Sequence, residues 1–169
     1  MRNFTRPDEL HFQAAVGWLE LSNWREANEE LESITPALPA HPDVLQVQCK
    51  IYCDAQKWEY AAEVANELCT LLPDSTFGPL HLAHALRKLD RIMEARDTLL
   101  PVAEKFPDEW RISYRLACCY SQLRRYKQAE MWFKKAVAID EHTVKREGID
   151  DPDLKPLWAS MSGTLWKRE

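Results

Sequence analysis

The sequence predicts an all-α chain built from repeated helical hairpins, and three observations carry that expectation. Four registers recur every 34 residues: Ala27, Ala61, Ala95 and Ala129; Trp24, Trp58, Ile92 and Tyr126; Trp18, Tyr52, Leu86 and Tyr120; Ala15, Cys49, Ala83 and Ala117. A fixed period of this length marks stacked supersecondary units. Each period divides into two amphipathic stretches around a short turn, as in PDVLQVQCKIYCDAQ followed by KWEYAAEVANELCTLLP; such a pair is an αα-hairpin. Only four glycines occur in 169 residues, too few for a phosphate loop, a dinucleotide fingerprint or a many-turned β-sandwich.

The elements follow in order. The first copy, residues 8–41, places Ala15 and Ala27 where its two helices cross, because a larger side chain there would push the axes apart. Pro39 stops its second helix, since proline lacks an N–H and disfavours helix in the residue before it. The second copy, 42–75, repeats the plan with Cys49, Ala61 and Pro73. The third, 76–109, uses Ala83, Ala95 and Pro107, with Pro79 in the opening turn of its first helix. The fourth, 110–143, uses Ala117 and Ala129 and has Glu141 where the proline would stand. Leu31, Leu68, Leu99, Val102 and Phe133 are expected to fill the space between hairpins. The remainder, 144–169, predicts a capping helix and tail: Pro152 and Pro156 bracket a helix start, and Leu154, Leu157, Trp158, Met161 and Leu165 supply an apolar stripe. A stack of hairpins needs such an element over its last apolar face. Thr164 to Glu169 are expected to fray.

Over residues 8–141 the chain resembles the tetratricopeptide repeat family, whose 34-residue pattern of large aromatic, Leu, small residue, Tyr, Ala, Phe and Ala is clearest in Trp110, Leu116, Ala117, Tyr120, Ala129, Phe133 and Ala136. The first copy departs from it at His11 and Ala14. The resemblance implies a right-handed superhelical solenoid of four hairpins plus the cap, and a concave groove lined by the first helix of each hairpin. Carried over by register, Phe12 and Val16 fall on the first strip of that groove. Gln46, Val47 and Lys50 fall on the second, His81, His84, Arg87 and Lys88 on the third, and Arg111, Tyr114, Arg115, Cys118 and Gln122 on the fourth. In some family members such strips clamp a partner's terminal carboxylate. Arg111 and Arg115 match the last two basic clamp positions, whereas Gln46, Lys50 and His81 replace the Lys, Asn and Asn of the others.

Composition bounds the function. With 46% apolar and 29% charged residues, the chain reads as globular rather than disordered. No window supplies the roughly 18 apolar residues of a membrane span, and the start lacks a secretory apolar region. A cytoplasmic location is therefore expected, and five cysteines, an odd number, are expected to be free. The net charge of −5 hides an asymmetry: residues 1–75 hold 5 Lys/Arg against 13 Asp/Glu, giving −8, and residues 76–141 hold 12 against 9, giving +3. The groove thus changes sign along its length, which favours an acidic or C-terminal segment at the later copies. An acidic chain makes a poor phosphate binder, so nucleic acid is not expected as a partner.

No HExxH, GxSxG, Walker loop or EF-hand loop is present, and no catalytic residue is assigned. Cys49, Cys53, His81 and His84 could be drawn together as a metal cluster, but Cys49 occupies the small-residue slot, where a thiol acts as a small hydrophobe. No metal or cofactor is expected. The sequence therefore predicts a non-enzymatic adaptor or chaperone-like module for a protein or peptide ligand. The rival reading is a structural module that self-associates through Trp158, Met161, Leu165 and Trp166.

Overall fold

A computed structural model describes residues 5–35 and 41–160 of the chain, and no strand occurs among them. In order they form α1 (Arg6–Glu20), α2 (Trp24–Glu32), α3 (Pro42–Asp54), α4 (Trp58–Leu71), α5 (Phe77–Lys88), α6 (Ile92–Lys105), α7 (Trp110–Gln122), α8 (Tyr126–Ile139), α9 (Glu141–Gly148), a 3-10 turn (Pro152–Leu154) and α10 (Lys155–Ser160). The second helices begin at Trp24, Trp58, Ile92 and Tyr126, one of the four registers read from the sequence. Pro73 and Pro107 follow the ends of α4 and α6. Pro79 lies in the first turn of α5, where a missing N–H breaks no helical bond.

One backbone device makes all four turns between paired helices. Ser22, Gln56, Asp90 and Arg124, again 34 residues apart, take left-handed φ values of 57°, 56°, 60° and 56°. The N–H that follows each one reaches back to the carbonyl five residues earlier: Asn23 to Trp18 at 2.9 Å, Lys57 to Tyr52 at 2.8 Å, Arg91 to Leu86 at 2.9 Å and Arg125 to Tyr120 at 2.8 Å. This is a Schellman closure, which satisfies carbonyls that the helix end would leave orphaned. It also fixes where the next helix starts.

The chain divides into two compact units, Met1–Ala85 and Leu86–Glu169. In the first, the fully buried Ala15 and Ala27 meet Val47 and Ile51, with Phe12, Val16, Leu19, Trp24 and Leu31 packed against them. Leu45, Cys49, Ala65 and Leu68 form a second cluster with Phe77 and Leu82 against it. A Cβ at Gly78 would lie 2.8 Å from the Cys69 backbone nitrogen, so the approach of α5 to α4 requires glycine there. In the second unit α7 packs on α6 and α8, and Ile112, Leu116, Ala117, Ala129 and Ala136 are wholly buried.

Within 144–169, expected as a capping helix and tail, α10 starts between Pro152 and Pro156, and α9 precedes it. Without a proline at 141, the break after α8 is made by Asp140, whose carboxylate accepts the Thr143 N–H at 3.0 Å and starts α9. Asp151 then accepts from the Asp153 N–H at 2.9 Å and seeds the 3-10 turn, so the segment reverses before α10. Leu154 and Leu157 are fully buried, as their place in the apolar stripe suggested. The Trp158 ring meets Phe133 edge-on at 5.0 Å, and its indole N–H donates to the Gly148 carbonyl at 3.1 Å. Met161, Leu165, Trp166, the tail from Thr164 and Pro39 lie outside the described residues.

Candidate functional site

In the first unit, the residues expected on the groove are unlike one another. Phe12 and Val16 are half-buried and pack on the α1–α3 core, because the period that exposes one face of α1 also turns these positions toward α3. Val47 is buried in the same cluster. Gln46 is half-buried and Lys50 exposed. The Lys50 ammonium lies 5.9 Å from the centre of the Phe77 ring, and His81 stacks on that same ring with the two centres 3.8 Å apart. The His81 Nδ1–H donates to the Phe77 carbonyl at 2.9 Å. His84 meets Trp58 edge-on at 5.5 Å. Phe77 is thus the organiser of this patch. Sequence reasoning missed it, although it shares the register of Asp43 and Arg111.

The thiols of this unit have structural surroundings. Cys49 is buried with Sγ 3.8 Å from the Ala61 carbonyl, and its bond to Cys53 together with burial holds it protonated. Burial also raises Cys69. No group of three or more His, Cys, Asp or Glu able to hold a metal occurs among the described residues. A surface pocket of about 300 Å³ opens between α2 and α3, with Leu31, Ile34, Val44 and Tyr52 on its apolar side and Asn28, Glu32 and Gln48 on its polar side.

The second unit departs most from expectation. Arg111 is exposed, 58% at the side chain; it pairs with Glu109 at 3.2 Å and lies 5.0 Å over the Trp110 ring. Lys88 is exposed and Arg115 half-buried, so the two arginines do not present an equally open pair. Tyr114 is only 3% exposed. Its hydroxyl donates to the Asp151 carboxylate at 2.6 Å, and burial, with that bond, keeps the phenol protonated. Cys118 is buried beside the same carboxylate, 3.7 Å away, and burial pushes its pKa up to about 12. Gln122 donates to Asp153 at 2.6 Å, the Arg87 guanidinium forms an ion pair with Asp153, and the Leu157 N–H donates to the Ser121 hydroxyl at 3.2 Å. Tyr114, Cys118, Gln122 and Arg87, expected on an open strip, are therefore covered by the chain's own residues 151–157. The reason is chemical: the acidic run Asp150, Asp151 and Asp153 follows α9 at a distance that brings it onto the cationic end of α5 and the polar face of α7. The run was visible in the sequence, but its partner surface was not.

Residues 111–143 match the family Tetratricopeptide repeat. The chain's fold is shared with solved tetratricopeptide-repeat proteins. TTC0263, a thermophilic TPR protein of Thermus thermophilus, is similar in structure with a TM-score of 0.74 at 19% identity, over 91% of this chain and 82% of that one. MamA residues 41 to the end from Desulfovibrio magneticus RS-1 gives 0.73 at 16% identity, over 95% and 94% of the two chains. MamA of MSR-1 gives 0.69 at 24% identity, over 80% and 78%. No curated protein matches the chain in sequence. No helix among the described residues is long and apolar enough to cross a membrane, and the five cysteines are free thiols.

Proposed function

We propose that this chain is a non-enzymatic interaction module that binds a protein or peptide segment along the first helices of its tetratricopeptide hairpins. One observation supports this reading above the rest: the frame repeats while the exposed faces do not. The buried alanines and the left-handed turn residues recur every 34 residues, so the frame is a positional scaffold. Upon it α3 offers Lys50 to solvent and α7 offers Arg111, each beside an aromatic ring. Cations backed by aromatic faces suit carboxylate-bearing and amphipathic peptides. The preferred ligand is an acidic or C-terminal stretch, bound in the cytoplasm. The rival reading, self-association through the cap, rests among the described residues on Trp158, which is half-buried against Phe133 and donates to the Gly148 carbonyl.

Selection from a displayed library of 12-residue peptides tests the reading. Enrichment of acidic sequences by the full chain, lost in Lys50→Glu and Arg111→Glu, supports it. Enrichment of basic or purely apolar sequences, or none, overturns it.

A further inference from the structure

We propose that Arg87, Tyr114 and Gln122 form a recognition site for an acidic peptide segment, which the chain's own Asp151-Pro152-Asp153 occupies as a displaceable competitor. This rests on the reading of the chain as a peptide-binding module and names a site and a regulation for it.

The occupant reveals the site's chemistry. Both carboxylates of the segment point at side chains of α5 and α7: Asp151 takes the Tyr114 hydroxyl at 2.6 Å, and Asp153 takes the Gln122 amide at 2.6 Å and the Arg87 guanidinium. Two acids separated by a proline are read by a phenol, an amide and an arginine, all on structured helices. The proline fixes φ and holds the carboxylates apart in a preset geometry.

The fit is incomplete, and the shortfall points to a further ligand. The Arg87 side chain is only 4% exposed, yet its Nε and Nη1, both buried, have no hydrogen-bond partner among the described residues, and neither does the buried Gln122 Oε1. A guanidinium offers five N–H donors in a fork that matches a carboxylate through two parallel bonds. Here Asp153 is paired through Nη2 alone. A buried charged donor without an acceptor is costly, so an incoming carboxylate that forks over Nη2 together with Nε or Nη1 has a gain available that Asp153, held through Nη2, leaves unrealised. The same arithmetic sets specificity. A neutral peptide that displaced Asp153 would strand the guanidinium without a counter-charge.

The tether explains why the site is closed at rest. A segment joined to the module by a few residues is present at an effective concentration on the order of millimolar, and Leu154 and Leu157, fully buried, anchor it on the far side. A partner must therefore carry an acidic pair and arrive in a context that raises its own affinity above that of the tethered copy.

The probe is a blocked, fluorescently labelled peptide with the sequence of residues 148–154, Gly-Ile-Asp-Asp-Pro-Asp-Leu, with an all-asparagine version as control. The full chain and its D151N/D153N variant are titrated with both. The acidic peptide is expected to bind the variant at least about tenfold more tightly than the wild type, in line with removal of a tethered competitor; the asparagine peptide should bind neither, and adding Arg87→Met should abolish binding. If D151N/D153N is destabilised by its bare arginine, the acidic peptide should raise its melting temperature. As a second measurement, excess acidic peptide should speed amide exchange at residues 151–154 in the wild type. Equal affinities for the two proteins, binding insensitive to Arg87→Met, or failure of the peptide to change melting or exchange would overturn the proposal. Acidic partners that bind through Arg111 while exchange at 151–154 stays fixed would leave the peptide-binding module standing and remove this site.

Discussion

Asp8 and Thr35, at opposite ends of the first hairpin, are joined twice: the Thr35 N–H at 2.9 Å and its hydroxyl at 2.8 Å both donate to Asp8 Oδ1. The Thr5 hydroxyl donates to the other carboxylate oxygen at 2.5 Å. The Thr5 bond first, then the Thr35 backbone bond, lower the Asp8 pKa from 3.8 to about 2. A depressed carboxylate pKa contributes stability that is fully present above the unfolded value and disappears as pH falls through the folded one. The window is therefore about pH 4 down to pH 2. Asp8→Asn should melt below the wild type at pH 6, and the gap should close by pH 2. A gap independent of pH would show that these bonds do not set the Asp8 ionisation.

The recurrent left-handed residue gives a second expectation. Gln56 and Arg124 hold φ values of 56° with side chains attached, a conformation that costs a non-glycine residue about 1 kcal/mol or more. Gln56→Gly and Arg124→Gly should each stabilise the chain by about 0.5–1 kcal/mol after the extra chain entropy of glycine is deducted. Denaturant midpoints check this. Arg124→Val should go the other way, and identical midpoints for Gly and Val would contradict the turn geometry.

Ala61 and Ala129 are both 0% exposed, at the crossing of α3 with α4 and of α7 with α8. Ala61→Trp or Ala129→Trp should destabilise by at least about 1–3 kcal/mol through overpacking. Unchanged melting in both variants would mean that the crossings are looser than the burial indicates.

Those alanines also explain what the sequence made legible. A side chain in a crossing must be small wherever the crossing recurs, so Ala27, Ala61, Ala95 and Ala129 print the period directly. The turn residues were illegible for the opposite reason: Ser22, Gln56, Asp90 and Arg124 share a backbone conformation but no side-chain chemistry, and the closure is made by main-chain atoms. At the candidate site, register placed Arg111 and Lys50 on open faces. The covering of Tyr114 was illegible because it is made by Asp151, 37 residues away, and the folding back of a short acidic segment has no periodic signature. The half-burial of Phe12 and Val16 was illegible for another reason: in the helical pattern one apolar face serves core and groove alike, and these two pack against the core that includes Val47 and Ile51 of α3.

Tyr114 and Asp151 supply a fourth expectation. A buried hydrogen bond to a charged acceptor contributes about 1.5–3 kcal/mol, so Tyr114→Phe should lower stability by about that amount. A double-mutant cycle with Asp151→Asn isolates the coupling from loss of packing. Additive effects would show that the cap is held by Leu154, Leu157 and Trp158 without help from this bond.

The final expectation concerns the open cation of the second unit. Arg111 is more than half exposed at its side chain and leans on Trp110, whereas Arg115 is half-buried and a charge reversal there would disturb packing as well as binding. Arg111→Glu is therefore the cleaner variant. It removes one attraction to an acidic ligand and adds one repulsion, each worth at most about 1 kcal/mol at an exposed site, so affinity for acidic peptides selected on the wild type should fall roughly three- to tenfold. Because exposed charges are screened over about 8–10 Å at moderate ionic strength, wild-type affinity should fall as salt rises from about 50 to about 300 mM. The variant should show a flatter dependence. Helix content by circular dichroism should be the same for both, since Arg111 is exposed and outside the core. Titration of one selected acidic peptide at the two salt concentrations checks all three points. Equal affinities for wild type and variant, with the same salt slope, would remove Arg111 from the binding face and direct attention to the Lys50, Phe77 and His81 patch of the first unit.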